Sequence, residues 1–366
     1  MRGERLLSFT SASRVFTIDG RHLISGIHGG VQRYLSEILT ELDQIAQPGD
    51  YEICIPEGSA IPEEYHNIPV VQYGKLNGLL WEQISLPIYL RKHHRYGIFP
   101  CSVVPFAYCK GIAIIHDIMV KTVPMVARSL NPFLRLAIRS NFSVAARKAS
   151  LIGTVSTYSK KEIFETYNLN PAKIIVISSA WQHFSRIDAD NSWMKNHPEV
   201  ISGQFYFSLS ANRIQKNFRW IYEVARRNPE SIFVIAGTQE EWQKQIEYSA
   251  ENVIYLGDVT DGVIRSLMEN CKAFLFPSLY EGFGLPPLEA LSAGAPIVIA
   301  RSSCLPEVYG EAAHYIDPYD YEVDLERILS EPVASPESAL NKYSWKKSAE
   351  QLDIARKRII QHDLQK

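Results

Sequence analysis

The sequence lacks a long hydrophobic run, an excess of charge of one sign and closely spaced cysteines. No run of 18 apolar residues occurs among its 366 residues, and the N-terminal segment has no continuous apolar core. We therefore expect neither a membrane-spanning helix nor a standard secretion signal. Lys and Arg number 38 against 40 Asp and Glu, a balance that argues against nucleic acid as the main partner. The five dispersed cysteines favour reduced thiols in a cytoplasmic protein and give no metal-ligand spacing.

Charge is unevenly divided between the two halves of the chain. Residues 1–180 contain 19 Lys and Arg against 14 Asp and Glu, whereas residues 181–366 contain 19 against 26. A modest basic bias is usual for solvated helices, but it is also typical of a face that meets anionic lipid or phosphate. The basic residues of the first half concentrate at Arg91, Lys92, Arg95, Arg128, Arg135, Arg139, Arg147 and Lys148.

Short β-branched segments alternate with longer helical patterns from one end of the chain to the other. This alternation predicts βαβ units and therefore an α/β fold with parallel sheets. The predicted strands are 14–19, 51–55, 69–73, 111–116, 151–155, 173–178, 205–210, 231–237, 252–258, 273–278, 296–300 and 313–317. The predicted helices lie near 30–46, 79–93, 129–148, 157–167, 216–228, 239–249, 261–270, 286–293 and 304–310.

The strands form two series, which a polar stretch without periodicity separates at 178–200. We interpret that stretch as a linker between two doubly wound, Rossmann-like domains, 1–180 and 181–340, whose strand ends face a ligand-binding cleft. A last helix, within 341–366, carries an apolar stripe that consists of Trp345, Ala349, Leu352, Ala355 and Ile359. Because such a stripe needs a hydrophobic surface to cover, the helix is expected to cross back to the first domain.

The sharpest chemical signal is the segment PSLYEGFGLPPLEALSAGAPIV at 277–298. Gly282 and Gly284 permit a tight backbone turn, and the following Pro pair suits the first turn of a helix. Such a turn directs N–H groups and a helix dipole at a ligand, which suits phosphate. Glu281 and Glu289 flank the turn, and carboxylates accept hydrogen bonds from vicinal sugar hydroxyls. A nucleotide sugar fits this combination, although both glutamates would also favour a helix N-terminus for purely structural reasons.

This segment resembles the donor site of the retaining glycosyltransferases of family 4, the group 1 class with the two-domain GT-B fold. The hallmark of that class is a pair of glutamates separated by seven residues, here Glu281 and Glu289. Further similar segments follow in the family's order and span nearly the full chain. They are SGIHGGVQRYLSEIL at 25–39, WEQISLP at 81–87, IIHDIM at 114–119, VSTYSKKEI at 155–163, NRIQKNF at 212–218, VIAG at 234–237, YLGDV at 255–259 and YSWKKSAEQL at 343–352.

The resemblance implies a role for the residues of these motifs. Glu281 is expected to contact hydroxyls of the transferred sugar, Glu289 to hold the ribose, and the backbone at Gly284 and Leu285 to approach the diphosphate. The predicted catalytic residues are His116, Asp117, Lys216 and Glu281. The predicted donor-binding residues are Gly30, Arg213, Lys216, Glu281, Gly282, Phe283, Gly284, Leu285 and Glu289.

Lys216 lies where a loop opens a helix, so its ammonium can neutralise a diphosphate leaving group. A solvated lysine is the ordinary interpretation of such a position, but Lys216-Asn217 falls on the family's Arg-Lys-Asn motif. The sequence departs from that motif, because Gln215 stands where the family often has Arg. The upstream Arg is also missing at Ala211, with Arg213 two positions on, so the sequence leaves open whether Arg213 supplies a second phosphate cation.

Two residues at a strand end complete the predicted site. His116 follows a predicted strand, and the His-Asp pair resembles the family's active-site dyad, which implies a role for His116 at the reacting sugar. Asp117 would orient His116 or contact the acceptor. The Gly pair that ends at Gly30 would let N–H groups approach the diphosphate or the acceptor. Glu82 is interpreted as a helix residue rather than an acceptor-side carboxylate, and His183, where the family commonly has Asn-Gly, is assigned no function.

The sequence and its resemblance therefore predict a retaining hexosyltransferase that moves a hexosyl unit from a nucleotide diphosphate sugar to a saccharide acceptor in surface polysaccharide assembly. We expect the acceptor to be lipid-linked, the protein to be cytoplasmic and peripheral on the inner face of the membrane, and no cofactor or metal to be required. The Trp-Glu-Gln stretch favours GDP-mannose, followed by UDP or dTDP donors such as that of rhamnose. The alternatives are a GT-B epimerase or phosphorylase, or a noncatalytic sugar-binding scaffold. A nicotinamide oxidoreductase is disfavoured, because no G-x-G-x-x-G turn follows the first strand.

Overall fold

The structure is a computed structural model and describes residues 15–24, 29–62, 65–210, 213–237 and 250–365. The chain divides into two compact units. The first unit comprises Met1–Lys121, Asn131–Ser179 and Trp345–Lys366, and the second comprises Thr122–Leu130 and Ala180–Ser344. The predicted helix at 239–249 and residues 25–28 of the predicted glycine loop lie outside the described residues.

The first unit is built around a parallel sheet of seven strands. The strands are β1 Phe16–Asp19, β2 Tyr51–Ile55, β3 Val70–Gln72, β4 Tyr96–Phe99, β5 Gly111–Ile114, β6 Leu151–Thr154 and β7 Ile174–Val176. Their order in the sheet is β3-β2-β1-β4-β5-β6-β7, and each neighbouring pair is parallel. Strands β1, β2, β4, β5 and β6 are buried along their whole length, which is typical of a parallel sheet covered on both faces.

Strand β4 was not predicted, although it lies at the centre of the sheet between β1 and β5. It has only four residues, and Gly97 interrupts its apolar pattern. Gly111 on β5 explains how the two strands approach here: its φ is +134°, and a Cβ at this position would lie 2.0 Å from the Gly97 carbonyl oxygen. The close backbone contact therefore depends on glycine, a requirement that a hydrophobicity pattern does not reveal.

Seven helices precede residue 180 in the described part of the chain. They are α1 Gly30–Ile45, α2 Gly78–Leu80, α3 Leu86–Lys92, α4 Met119–Thr122, α5 Pro124–Ser129, α6 Pro132–Lys148 and α7 Thr157–Tyr167. A π-helical turn, Trp81–Ser85, joins α2 to α3. The helix predicted near 129–148 is α6, which begins at Pro132 because Asn131 caps it: the Asn131 Oδ1 accepts a hydrogen bond of 2.8 Å from the Phe133 N–H.

The second unit contains a parallel sheet of six strands. The strands are β8 Phe205–Ser210, β9 Ile232–Gly237, β10 Val253–Gly257, β11 Ala273–Phe276, β12 Ile297–Ala300 and β13 His314–Ile316. Their order is β10-β9-β8-β11-β12-β13. The accompanying helices are α8 Phe218–Arg227, α9 Asp261–Asn270, α10 Leu285–Ser292, α11 Leu305–Tyr309, α12 Leu325–Ser330 and α13 Glu337–Leu340. Both sheets confirm the predicted α/β class.

The C-terminal helix, α14 Trp345–Leu364, packs within the first unit against α1. The predicted apolar stripe is buried, and Trp345 contacts the Tyr34 ring edge-on at a centroid distance of 5.9 Å. Polar contacts add to this packing, since Arg356 forms an ion pair of 2.8 Å with Asp50 at the start of β2. No helix in the described ranges combines the length and hydropathy needed to cross a bilayer.

The stretch 178–200 is more ordered than the prediction of an aperiodic linker suggests. From Ala180 onward it belongs to the second unit, and it contains two short 3-10 turns, Phe184–Arg186 and Asn191–Asn196. Trp193 is buried, and its indole Nε1–H donates a hydrogen bond of 2.8 Å to Ser266 Oγ. The stretch looks polar in sequence because single buried anchors, rather than a periodic apolar face, attach it to the unit.

Candidate active site

Two loops of the second unit bring opposite charges together. Strands β8 and β11 are parallel neighbours, so the loops that follow their carboxyl ends meet at one edge of the sheet. The loop after β8 carries Lys216 at the end of a 3-10 turn, and the loop after β11 carries Glu281. Lys216 Nζ lies 2.7 Å from Glu281 Oε1. Two predicted catalytic residues, 65 positions apart in sequence, therefore form one ion pair.

This ion pair is largely removed from water. The side chains of Lys216 and Glu281 are 15% and 13% exposed, and Lys216 Nζ also lies 4.7 Å from the centroid of the Phe276 ring. Screening is weak in such a setting, and each charge depends on the other for compensation. The pair presents an ammonium suited to phosphate beside a carboxylate suited to sugar hydroxyls.

Asn217 locks the Lys216 loop in place. Its φ of 54° lies in the left-handed region, and its Nδ2 donates hydrogen bonds to the carbonyls of Pro277 at 3.2 Å and Pro318 at 2.8 Å. The Leu279 N–H also donates to the Gln215 carbonyl at 2.7 Å. Three loops at the strand ends are thus tied together by contacts that involve one short turn.

The sequence leaves open which residue supplies a second phosphate cation, and the two positions concerned differ in their exposure to solvent. Gln215, where the family often has Arg, is buried at 4% exposure and lies within the turn. Arg213 is exposed at the start of the same turn. A role for Arg213 at phosphate stays a prediction.

The turn after Glu281 has the backbone geometry that the glycines predicted. Gly284 has a φ of +80°, and a Cβ there would also lie 2.6 Å from Leu305 Cδ2. The Tyr309 hydroxyl donates to the Gly284 carbonyl and fixes the turn. Helix α10 begins at Leu285, and the next two residues are prolines without N–H groups. The N–H donors at this helix start are therefore those of Gly284 and Leu285.

The motif residues around Glu281 are held within the unit by hydrogen bonding and packing. The Glu281 N–H donates to Ser303 Oγ at 2.9 Å, which holds the loop against the segment after β12. Gly282 is buried. Phe283 is only 5% exposed and packs edge-on against Tyr343 at 5.0 Å between ring centroids. The Phe283 side chain is thus committed to the interior, which leaves its backbone for the predicted donor contact.

Glu289 has a partner that the sequence did not reveal. It lies on α10, and its Oε1 is 2.8 Å from His183 Nε2, with both side chains nearly inaccessible at 7% and 4%. His183 was assigned no function from the sequence. The two residues are 106 positions apart in sequence, so their contact can be recognised only in the folded structure.

His116 lies after β5 in the first unit with its imidazole held on several sides. Its Nε2 donates a hydrogen bond of 2.8 Å to the Pro100 carbonyl, and its backbone N–H donates to Ser102 Oγ at 3.1 Å. The Tyr34 ring contacts it edge-on at 4.6 Å. Burial lowers the pKa of His116 to about 4, so the ring is neutral at pH 7. Because Nε2 carries the proton, Nδ1 is a hydrogen-bond acceptor.

Asp117 and Gly30 occupy helix starts in the same unit. Asp117 Oδ1 accepts a hydrogen bond of 3.0 Å from the Met119 N–H, which begins α4. Gly30 is the first residue of α1, and a Cβ at this position would meet nothing within 4 Å. Packing within the described residues therefore does not explain the glycine, and its contact with a ligand stays a prediction.

Part of the second unit matches a known family. Residues 191–343 match the family model described as "Glycosyl transferases group 1". This segment of the chain is similar to the group 1 glycosyltransferases. Membership of family 4 within this class is consistent with the match.

Several curated proteins are similar to this chain over part of their length. One is the O-antigen chain mannosyltransferase B of Escherichia coli, which is 28% identical over 244 residues, 63% of each chain. Another is the O-antigen chain mannosyltransferase RfbU of Salmonella typhimurium, which is 23% identical over 185 residues, 48% of this chain and 49% of that one. These matches span less than two thirds of the relatives' own lengths.

Solved structures show the fold of the chain. Anabaena HepE, in complex with UDP and glucose, superposes with a TM-score of 0.61 at 18% identity and covers 96% of this chain and 97% of its own. Sucrose-phosphate synthase from Thermosynechococcus elongatus gives a TM-score of 0.62 at 12% identity, covering 96% of this chain and 98% of its own. The predicted GT-B fold is confirmed.

Glu82 is a helix residue, as expected, but it is not exposed to solvent. It is fully buried in the π-helical turn, and its Oε2 forms an ion pair of 2.5 Å with Arg21. Burial, and secondarily the nearby Asp19, raise the pKa of Glu82 to about 8. Burial likewise raises the pKa of Asp19 to about 6. This cluster lies beside the end of β1 in the first unit.

Proposed function

We propose that this protein transfers a hexosyl unit, with mannose or rhamnose favoured, from a nucleotide diphosphate sugar to a saccharide acceptor. The observation that carries the proposal is the Lys216–Glu281 pair beside the Gly284 turn. The names of the related O-antigen mannosyltransferases support a place in surface polysaccharide assembly and favour GDP-mannose as donor. The nucleotide sugar is a substrate, and no further cofactor is invoked.

Each group of the second unit has a distinct task in this proposal. The Lys216 ammonium and the N–H groups of Gly284 and Leu285 stabilise the charge that grows on the diphosphate as it departs. When the diphosphate draws Lys216 towards itself, the Glu281 carboxylate becomes available to the sugar hydroxyls. Glu289 holds the ribose. Binding of the donor thus replaces one ion pair with two ligand contacts.

Two residues of the first unit, His116 and Asp117, also have tasks in this proposal. The neutral His116 accepts a hydrogen bond through Nδ1 from a hydroxyl of the reacting sugar, and Asp117 supports the loop that follows β5. The acceptor hydroxyl attacks the anomeric carbon from the face that the diphosphate leaves, through an oxocarbenium-like state, and its proton passes to the departing diphosphate, so that the anomeric configuration is retained. No covalent intermediate on the protein is needed in this scheme.

An acceptor-dependent assay tests the proposed function. We expect GDP-mannose, or next dTDP-rhamnose or a UDP-hexose, to raise the melting temperature, because a bound donor stabilises the fold by mass action. With the stabilising donor, release of the nucleoside diphosphate should require a saccharide acceptor and should survive EDTA. Rapid release without any acceptor would favour an epimerase or hydrolase instead. Loss of activity in EDTA, restored by Mg²⁺ or Mn²⁺, would contradict the metal-free scheme.

A lipid-linked acceptor would bring the protein to a membrane, and the first unit has a surface that fits. Leu80, Ile84, Ile88 and Arg91 lie on one face of the helical segment 78–92 and are all exposed. The neighbouring segment at 104–108 is attached to it, since the Phe106 N–H donates to Gln83 Oε1 at 3.0 Å. The exposed Phe106 and Lys148 extend this surface, which combines apolar and basic side chains. Lys148 Nζ lies 3.2 Å from the Phe106 carbonyl oxygen.

Two other basic residues are less suited to lipid than the sequence suggested. Arg139 is only partly exposed, and its Nε donates to the Val120 carbonyl at 3.1 Å. Arg128 belongs to the second unit. Phe133, Leu134 and Leu136 at the start of α6 are exposed at 84%, 50% and 64%, so these apolar side chains do not face the core.

We expect the protein to bind vesicles of phosphatidylcholine with phosphatidylglycerol at low salt and to dissociate when salt is raised. Each basic residue near an anionic surface contributes about 1 kcal/mol, and salt screens this attraction. Ile88→Glu combined with Lys148→Glu should reduce binding several-fold in a sedimentation assay. Ile354→Glu, on α14, is the matched control, since Ile354 is also exposed. Equal binding by all three proteins would show that this surface does not meet the membrane.

A further inference from the structure

The second unit contains a direct contact between His183 and Glu289. It joins a residue of the segment that enters the second unit to a carboxylate on α10, and both side chains are almost completely buried. Burying a carboxylate is costly unless it is paired and hydrogen-bonded. An ionised carboxylate only accepts hydrogen bonds, so His183 Nε2 must carry the proton that lies between the two groups.

The chain fixes His183 from both sides. Before it, the Trp181 indole Nε1–H donates to the Leu340 carbonyl at 3.1 Å, and Gln182 Nε2 donates to the Tyr343 carbonyl at 3.0 Å. After it, the His183 carbonyl accepts the Arg186 N–H at 3.2 Å in the 3-10 turn that begins with Phe184. The imidazole therefore approaches Glu289 from a backbone that is held in place.

We propose that His183 is a positioning residue that orients the Glu289 carboxylate for the hydroxyls of the donor ribose. This inference rests on the ribose role of Glu289 in the proposed function. A carboxylate has two oxygens with about four lone-pair directions, so it can accept from His183 and from ribose hydroxyls at the same time. Fixing the carboxylate in advance reduces the ordering cost when the nucleotide binds.

A residue that orients Glu289 and a residue that only stabilises the fold have different effects on nucleotide affinity. A structural role would change the affinity for every nucleotide equally, whereas an orienting role changes the preference for ligands with ribose hydroxyls. The diagnostic quantity is therefore the ratio of the dissociation constants for GDP and 2′,3′-dideoxy-GDP, with UDP and its dideoxy analogue as the second pair. Calorimetry measures both constants on the full chain.

We expect the wild-type protein to prefer the hydroxylated nucleotide about 10-fold or more, since a hydrogen bond to a charged group contributes about 1.5–3 kcal/mol. His183→Phe keeps a ring of similar size without a donor, and it should reduce this preference to about 3-fold or less. His183→Gln keeps an N–H donor of similar reach and should restore most of the preference. In the transfer assay, His183→Phe should raise the KM for the nucleotide sugar while kcat changes little.

The outcomes distinguish this inference from the proposed function on which it rests. If the wild-type protein shows no preference for ribose hydroxyls, the ribose role of Glu289 is wrong. If the wild type shows the preference and His183→Phe retains it in full, His183 does not orient the carboxylate. His183→Leu serves as the second removal variant if the phenyl ring is not accommodated, and melting curves establish that each variant is folded.

Discussion

Glu281→Gln is expected to lower turnover about 100-fold or more while the protein remains folded. The substitution keeps the shape of the side chain but removes the charge that strengthens a hydrogen bond from a sugar hydroxyl. It also removes the ion pair with Lys216, whose Nζ is 2.7 Å away. Because Gln still accepts hydrogen bonds through its carbonyl oxygen, donor binding should weaken less than turnover falls. Initial rates with the stabilising donor, over a range of donor concentrations, measure both effects.

The Lys272–Glu326 ion pair provides the matched control for this experiment. It belongs to the same unit, and its Glu326 side chain is 63% exposed rather than buried in a motif loop. Glu326→Gln should leave turnover within about 2-fold, because an exposed ion pair contributes little to the fold. Near-normal turnover of Glu281→Gln would refute the assignment of Glu281 to the transferred sugar. A similar loss in both variants would instead indicate a general effect on the second unit.

The two loops that carry Lys216 and Glu281 could be predicted because the sequence features that mark them are local. Gly284 follows Glu281 by three residues, and the glycine, the proline pair and the helix start all lie within one short segment. Lys216 and Glu281 could be chosen without knowing that β8 and β11 are neighbours, because each residue falls on a family motif. Their direct contact, however, depends on a strand order that places the first strand of the second series beside its fourth.

Other features were missed because they depend on distant parts of the chain. His183 lies in a segment without periodicity, and its partner is 106 residues away. Strand β4 is short, and glycine on the neighbouring β5 permits its close approach. The helix α5 lies in sequence between parts of the first unit but belongs to the second. A hydrophobic pattern carries no information about such long-range packing.

Lys216→Ala should have an effect that depends on the charge of the ligand. Removing the ammonium eliminates a cation that faces the diphosphate, so affinity for GDP or UDP should fall much more than affinity for the corresponding nucleoside. Turnover should fall about 100-fold or more, since the charge on the leaving diphosphate increases in the transition state. The variant also leaves Glu281 without its partner, and the two negative charges of carboxylate and phosphate then oppose each other.

Calorimetry with a nucleoside diphosphate and its nucleoside separates these contributions. Lys272→Ala is the control, because Lys272 pairs with Glu326 outside the candidate site. Raising the salt concentration should weaken GDP binding to the wild type more than to Lys216→Ala, since screening acts on a charge that the variant lacks. Equal weakening of nucleoside and nucleoside diphosphate by Lys216→Ala would contradict a phosphate contact. In that case the Lys216–Glu281 pair would serve to hold two loops together, and the leaving-group charge would have to be stabilised by other groups.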